Sequence, residues 1–322
     1  MTDRESGIAL HHLVLDAAED TDHVINRARL RELGVTRKQI AAQIAAGRWL
    51  REGTQTIAVR TGDLSHTAQC WRAVWELGSE VALVDGADAL KLAGLKGWDE
   101  EVVHVSLLHR HTANRRSGVK VHKVIRRVEG EAAGAGVPRT RPAVAAIRAA
   151  HWASTDKAAA TILAMTVQQR LVTGAQLIEA QRMVRGRTRR AFLKRIVADI
   201  ADGAQSLHEL DFAAACRERG LPEPTRQAVK QGPQGRVYLD VYFEEYGLVV
   251  EIDGAGHLWA LAGVSDALRA NQLVIDGDRV LRINVVGLRV DLDAHMDQVA
   301  AALASDWAQA NLARHAAAHA AA

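Results

Sequence analysis

Two short runs of alternating residues toward the C-terminal end constrain this chain more than any other feature. In residues 237–243, Val237, Leu239, Val241 and Phe243 alternate with Tyr238, Asp240 and Tyr242; in residues 248–253, Leu248, Val250 and Ile252 alternate with Val249, Glu251 and Asp253. A period of two is that of a β-strand. Glu244-Glu245-Tyr246-Gly247 between them is of turn length and ends in a glycine that tolerates positive φ, so the two runs predict an antiparallel hairpin. If Phe243 pairs with Leu248, Asp240 falls across from Glu251 with Cβ atoms roughly 5 Å apart, and Asp253 shares their face. Like charges so placed call for a positive charge between them. A hard dication, Mg²⁺ or alternatively Mn²⁺, fits because it takes one or two carboxylates and keeps waters for chemistry. The plainer reading is a solvated polar face ended by an Asp253-Gly254 turn.

The pattern continues as Asp266, Arg269, Asn271, Leu273, Gly277 and Val280-Leu281-Arg282, which predicts a helix, a glycine stop and a third strand. Upstream, Ser206-x-x-Glu209 opens the helical stretch LHELDFAAACRERG, which ends at Gly220 before Leu221-Pro222. This order, over roughly Gln205 to Leu303, resembles bacterial domains related to the very short patch repair (Vsr) endonuclease, within the PD-(D/E)XK restriction-endonuclease-like superfamily. The resemblance implies that Asp240 is the central metal-binding aspartate, Glu251 the second acid, and Glu209 the acid of the first helix. Glu209 also fits a capping box with Ser206 and would serve helix entry alone. Where the superfamily motif has lysine this chain has Asp253, as strands of this subgroup ending in Glu-x-Asp-Gly do. Stabilising the phosphorane charge then falls to His257, Arg269 or a second metal.

At 322 residues and 48% hydrophobic, the chain can bury two or three cores. Forty-one basic against thirty-eight acidic residues leave a net charge of +3, so a nucleic-acid role depends on where the charge sits. Cys70 and Cys216 lie far apart, which fits a reducing cytoplasm, excludes a cysteine-rich zinc site and reads as packed thiols. The stretch MTDRESGIALHH lacks the pattern of a signal peptide, and no run reaches membrane-span length; the expected location is cytoplasmic, with no membrane partner.

Residues 22–60 predict a helix-turn-helix and ribbon: Asp22 capping HVINRARLREL, Gly34 at the turn, Thr36 capping RKQIAAQIAA, Gly47 as stop, then 48–51 and 54–59 as the strands of a wing. Arg37, Lys38 and Gln39 open the second helix, where a recognition helix meets DNA, and Arg48 follows it. The stretch GVTRKQIAAQIAAGRWLREGTQTIAV resembles the N-terminal winged helix of AbiEi-type antitoxins, which implies DNA binding and a cognate toxin as partner; a winged helix used only for protein contacts is the alternative. Residues 65–125 predict helix, strand, helix, strand, strand and resemble the region that follows in AbiEi-like chains, although Val84-Asp85-Gly86-Ala87 departs from the His-Glu-Ser-Ala type stretch of such chains. Between His104 and Val128 there are seven basic residues and no acid, either a solvated face or a phosphate contact.

Residues 129–142, with three glycines and two prolines, predict a linker, and three helices follow, the last two capped by Thr155 and Thr173. A second basic run includes Arg187, Arg189, Arg190, Lys194 and Arg195, placed to hold a DNA backbone or to serve as a charged link. Residues 293–310 predict a closing helix, and the alanine-rich tail carries His315 and His319, at metal-binding spacing but more simply a frayed helix.

The expected class is α+β/α/β multidomain: residues 1–62 a winged helix-turn-helix, 63–130 a small mixed α/β extension, 131–203 linker and helical connector, 204–310 a restriction-endonuclease-like α/β core, and 311–322 a low-complexity tail. The expected function is a Mg²⁺-dependent DNA endonuclease acting on duplex DNA. The alternatives are an AbiEi-like antitoxin and repressor whose nuclease-like domain is non-catalytic, and an inactivated nuclease fold that binds proteins.

Overall fold

The computed structural model describes residues 3–202, 212–232, 235–253, 274 and 278–320, with only the backbone course for 3–5, 202, 226–232, 235–240, 253, 284–286 and 289. The chain is mixed α/β with three small sheets and forms two compact units, Met1–Trp152 with Arg182–Arg185, and Ala153–Gln181 with Gly186–Ala322. Among the described residues no helix is long and apolar enough to cross a membrane.

The first unit opens with α1 (Asp3–Ala17), β1 (Val24–Asn26), α2 (Arg27–Glu32), α3 (Arg37–Ala45), β2 (Leu50–Arg51) and β3 (Thr56–Ala58). The helix expected from Asp22 begins instead at Arg27, because Val24 and Ile25 are drawn into a strand beside β3 and Asn26 takes over as cap, accepting from the Arg29 N–H at 2.7 Å. Asp22 itself sits in the left-handed region and accepts from the Ser65 hydroxyl. Thr36 does cap α3, in a reciprocal box with Gln39. Sheet order β1-β3-β2 leaves β3 central and wholly buried, with Leu50 and Arg51 exposed on the edge. Trp49, Ile57, Leu30 and Ile40 form the core under this sheet. Helix α1 closes it: Gly7 O accepts from Gln43 Nε2 at 2.6 Å, and His11 Nδ1 accepts from Trp49 Nε1 at 3.0 Å.

Next come α4 (His66–Leu77), β4 (Leu83–Val84), α5 (Gly86–Leu92), β5 (Val103–Leu108), β6 (Val119–Val124) and α6 (Pro142–Trp152). The predicted order of residues 65–125 is the observed one. Strand β5 is central, antiparallel to β4 and parallel to β6. Glu76 ties α4 to the β2–β3 connection: its carboxylate accepts from Thr54 N and Oγ1, Gln55 N, and Thr56 N and Oγ1, at 2.6 to 3.0 Å. Burial pushes the Glu76 carboxyl up, these bonds pull it down more strongly, and it stays below the ordinary glutamate value. A carboxyl lowered on folding stabilises fully above its unfolded pKa and loses that contribution as pH falls through the folded one. Glu76→Ala is therefore expected to destabilise the first unit by about 1–3 kcal/mol at neutral pH, with a deficit that shrinks on acidification. Denaturation midpoints measured from pH 7 down to pH 3 check both; an equal deficit at all pH values would contradict it.

Residues 129–142 are not a free linker. Val84 bridges Arg139, Ala132 bridges Thr140, and Glu131 and Thr140 are buried. The glycines and prolines there shape a packed strap.

In the second unit, α7 (Asp156–Gln168) is capped by Thr155, and α8 (Gly174–Met183) begins at a Thr173–Gln176 exchange of hydrogen bonds. Helix α9 (Arg190–Asp202) overlaps the second basic run, packs on α7 and buries Leu193, Ile196, Val197 and Ile200. That i, i+3, i+4, i+7 spacing is a helix signature which the density of arginines had masked. After α10 (Phe212–Glu218), β7 (Thr225–Gly232), β8 (Gly235–Phe243), β9 (Leu248–Asp253) and β10 (Arg279–Asn284) form one sheet in the order β10-β9-β8-β7. Strands β7, β8 and β9 are antiparallel neighbours, and β10 runs parallel to β9.

The chain closes with α11 (Val285–Val290), α12 (Leu292–Leu303) and α13 (Asp306–Ala320). The single closing helix expected over 293–310 is broken at Ala304 and Ser305, where the Ser305 hydroxyl accepts from the Ala308 N–H at 3.4 Å and restarts the helix. The alanine-rich residues 311–320 continue α13. Its Asn311 donates to Tyr246 O at 3.2 Å, and Arg279 lies over the Trp307 ring.

Candidate metal and nucleic-acid sites

The predicted hairpin is present. Phe243 pairs with Leu248, Tyr242 with Val249 and Val241 with Val250. The Glu244–Tyr246 connection is one turn of 3-10 helix, stopped by Gly247 at φ 62°. A side chain there would lie 2.9 Å from Asn311 Nδ2 as well as being strained, so glycine is required twice over. The paired register runs to Val241 and Val250; its continuation by one residue would bring the Asp240 position across from Glu251.

The surroundings differ from an exposed polar face. Leu248, Val249, Val250 and Ile252 are all buried, so β9 is covered on both sides, as a strand with a parallel neighbour usually is. Glu251 is 3% exposed. A carboxylate so buried needs compensation, and Arg282, its register partner on β10, supplies one with Nε 3.3 Å from Oε2. Asp253 ends β9 as a strand position. Glu209, His257 and Arg269 lie outside the described residues.

Arg37, Lys38 and Gln39 are exposed on the first turn of α3. Gln39 is committed to the cap, its Oε1 accepting from Thr36 N and Oγ1, both at 2.8 Å. Arg48 is half-buried and donates from Nε to Gln43 Oε1 at 2.5 Å. That leaves Arg37 and Lys38 as the exposed cations, and among the described residues no ion pair holds either. Two cations at the positive end of a helix dipole are locally unfavourable by a few tenths of a kcal/mol each, an arrangement that an external phosphate would relieve. Arg37→Ala/Lys38→Ala is expected to weaken duplex binding by about 10- to 100-fold at moderate salt and to lower the slope of log K against log salt by about 2. Binding isotherms at several salt concentrations check this; an unchanged slope places the contact elsewhere.

The basic runs are partly internal. Arg127 points inward, donating to Ser106 Oγ at 2.6 Å, Val81 O at 3.0 Å and Glu131 Oε1 at 3.0 Å. Arg189, offered by its sequence position as a DNA contact, is instead held by Asp156 and donates to Ser154 O at 3.0 Å. Arg187 and Arg190 remain exposed.

Sequence reasoning missed a polar cluster that is buried in the first unit. Arg148 pairs with Asp85 Oδ2 at 2.6 Å and Glu131 Oε2 at 2.7 Å, and Asp85 Oδ1 also caps α5 by accepting from the Gly86 N–H at 2.8 Å. Burial lowers the Arg148 pKa, Asp85 and Glu131 raise it, and the net shift is upward. One turn along, Asp88, Glu100 and His104 bring one oxygen or nitrogen each within 4.8 Å of one another, a grouping that could hold a metal ion. His122 stacks on Trp152 at 3.7 Å beside His104. Burial pushes both imidazoles down, His122 to about 3. Gly86 makes room for this stack: at φ 58° it would, with a side chain, meet the Trp152 ring at 3.1 Å. The sequence signal was faint, since Asp88, Glu100 and His104 have no regular spacing and only Glu100 and His104 fall at i, i+4. Both cysteines are buried free thiols as expected, with burial pushing Cys216 up to about 11 and Cys70 further. No protein-family model matches this chain, and no curated protein shows significant similarity to it.

Proposed function

We propose that the chain is a Mg²⁺-dependent DNA endonuclease in which a winged helix engages duplex DNA and the sheet of the second unit carries the phosphodiester-cleaving site. The observation that supports this most is the β8–β9 register from Phe243–Leu248 to Val241–Val250, whose continuation by one residue would bring the Asp240 position opposite Glu251, buried on a central strand. Two carboxylates so opposed would fit one hard dication beside the Arg282 guanidinium. Mg²⁺ bound there would activate water and neutralise charge on the phosphoryl group. Asp240 and Glu251 hold it; Asp253 and His257 are the candidates to orient or deprotonate water, and Arg269 to bind phosphate. The order of elements, antiparallel hairpin then parallel third strand, accords with the resemblance to Vsr-related domains.

A second reading is favoured by a specific observation: Glu251 already has a counter-charge in Arg282, while Arg37 and Lys38 stand exposed on α3, which packs on a core of its own. On that reading the chain is an AbiEi-like DNA-binding antitoxin with a cognate toxin as partner, and the hairpin acids are not catalytic. Incubation of the protein with supercoiled plasmid, linear duplex and single-stranded DNA in Mg²⁺ or Mn²⁺, beside Asp240→Ala/Glu251→Ala, separates the two. Cutting by the wild type alone is the expected result; no cutting on any substrate with duplex binding intact selects the repressor.

A further inference from the structure

The cluster of Asp88, Glu100 and His104 draws its donors from three different pieces of chain: α5, the loop after it, and the central strand β5. Each is already aimed. Asp88 is 1% exposed; its Oδ2 accepts from the His104 backbone N–H at 2.7 Å and its Oδ1 lies 2.8 Å from His66 Nε2. Glu100 is held from outside, Oε1 accepting from Trp98 Nε1 at 3.0 Å. That turns Oε2 inward, to 3.1 Å from His104 Nε2, where it is buried and makes no hydrogen bond. A carboxylate oxygen anchored by its twin, buried and beside an imidazole nitrogen without a hydrogen bond, is placed as a ligand atom is placed.

Charge gives an independent argument. Next door, the buried Asp85 and Glu131 are neutralised by Arg148 and Arg127. Among the described residues no lysine or arginine pairs with Asp88 or Glu100; their ion-pair partners are His66 and His104. Two carboxylates, one wholly buried, thus lack a fixed cation in a molecule that supplies one to the pair beside them, and one divalent ion restores the balance.

We propose that Asp88, Glu100 and His104 bind one borderline divalent transition-metal ion, of which Zn²⁺ is the type. An imidazole nitrogen with two carboxylate oxygens suits such an ion better than Mg²⁺ or Ca²⁺, which take all-oxygen shells. Three protein ligands leave a fourth position for water, on the side where Glu100 is 27% exposed. His66 is a positioning residue that orients the Asp88 carboxylate from behind. The ion would fasten the loop carrying Glu100 to α5 and β5, a role separate from the hairpin carboxylates.

Zn²⁺ alone, titrated calorimetrically into the metal-stripped full chain, tests this. One equivalent is expected to bind, equally well in Asp240→Ala/Glu251→Ala and in His315→Ala/His319→Ala. Glu100→Gln, which keeps the Trp98 acceptor and sits on a partly exposed loop, should lose that equivalent while melting in EDTA as the wild type does; His104→Gln should lose it too. His66→Ala should weaken it about 10- to 100-fold. Substituted Co²⁺ should give the visible bands of a four-coordinate site in the wild type and none in Glu100→Gln. Absence of saturable Zn²⁺ binding overturns the proposal. So does binding that survives Glu100→Gln, or binding lost in the hairpin or tail variants instead.

Discussion

On the nuclease reading, Asp240→Asn is expected to remove metal-dependent cleavage almost entirely, by on the order of 10³-fold or more, while leaving duplex binding within a factor of about two. The first number follows from the metal's share in stabilising the transition state, several kcal/mol, at tenfold in rate per 1.36 kcal/mol. The second follows from separation of tasks: exposed cations on α3 supply backbone contacts whatever happens on β8. Asn keeps the size of Asp and removes its charge, so the β8–β9 register should survive. Glu251→Gln should differ in kind. It strips Arg282 of its 3.3 Å partner as well as removing a proposed ligand, so it should lower cleavage and also the melting temperature. Rates on supercoiled plasmid with Mn²⁺, measured beside melting curves, distinguish the two variants. A wild type that cuts and an Asp240→Asn that cuts equally well would remove Asp240 from the site.

What was legible in the sequence was what short-range periodicity encodes. The hairpin, its glycine and its register were predictable because Leu248, Val250 and Ile252 alternate cleanly and a strand has only two faces. Thr36, Thr155 and Thr173 could be read as caps because a cap is a contact over three residues. Two kinds of feature were not legible. One is a local signal overridden by tertiary pairing: Asp22 is an acceptable cap, yet Val24 and Ile25 gain more as a strand beside β3 than as a first helical turn. The other is polar chemistry assembled across long sequence distance. Asp85, Glu131 and Arg148 lie 63 residues apart at the extremes, and Arg127 reads as part of a basic surface until Glu131 and Ser106 are found around it. The same limit applies to Asp88 and His66, which are 22 residues apart. Within the acid-free stretch from His104 to Val128, Arg116 and Arg127 find their counter-charges in Glu76 and Glu131, whereas Arg110, Arg115, Lys120, Lys123 and Arg126 are exposed.

That buried network gives the largest expected effect on stability. Arg148→Met should destabilise the first unit by about 3–5 kcal/mol, a large part of the roughly 5–15 kcal/mol that holds a domain together. Methionine fills much the same volume, so packing is not the cause. Asp85, 0% exposed, would lose its ion pair with Arg148, and Glu131 would keep its ion pair with Arg127. An uncompensated carboxylate in that position costs far more than the pair contributed when intact. The signature is therefore conditional. Asp85→Asn/Glu131→Gln/Arg148→Met, which removes the charges together, should recover most of the loss, because the three substitutions are coupled through one network. Trp49, Trp71, Trp75, Trp98 and Trp152 all belong to the first unit, so urea unfolding followed by tryptophan fluorescence reads chiefly that unit. A triple variant no more stable than Arg148→Met would mean that the guanidinium stabilises by its own packing and hydrogen bonds, and that charge compensation is not what fixes arginine at this position.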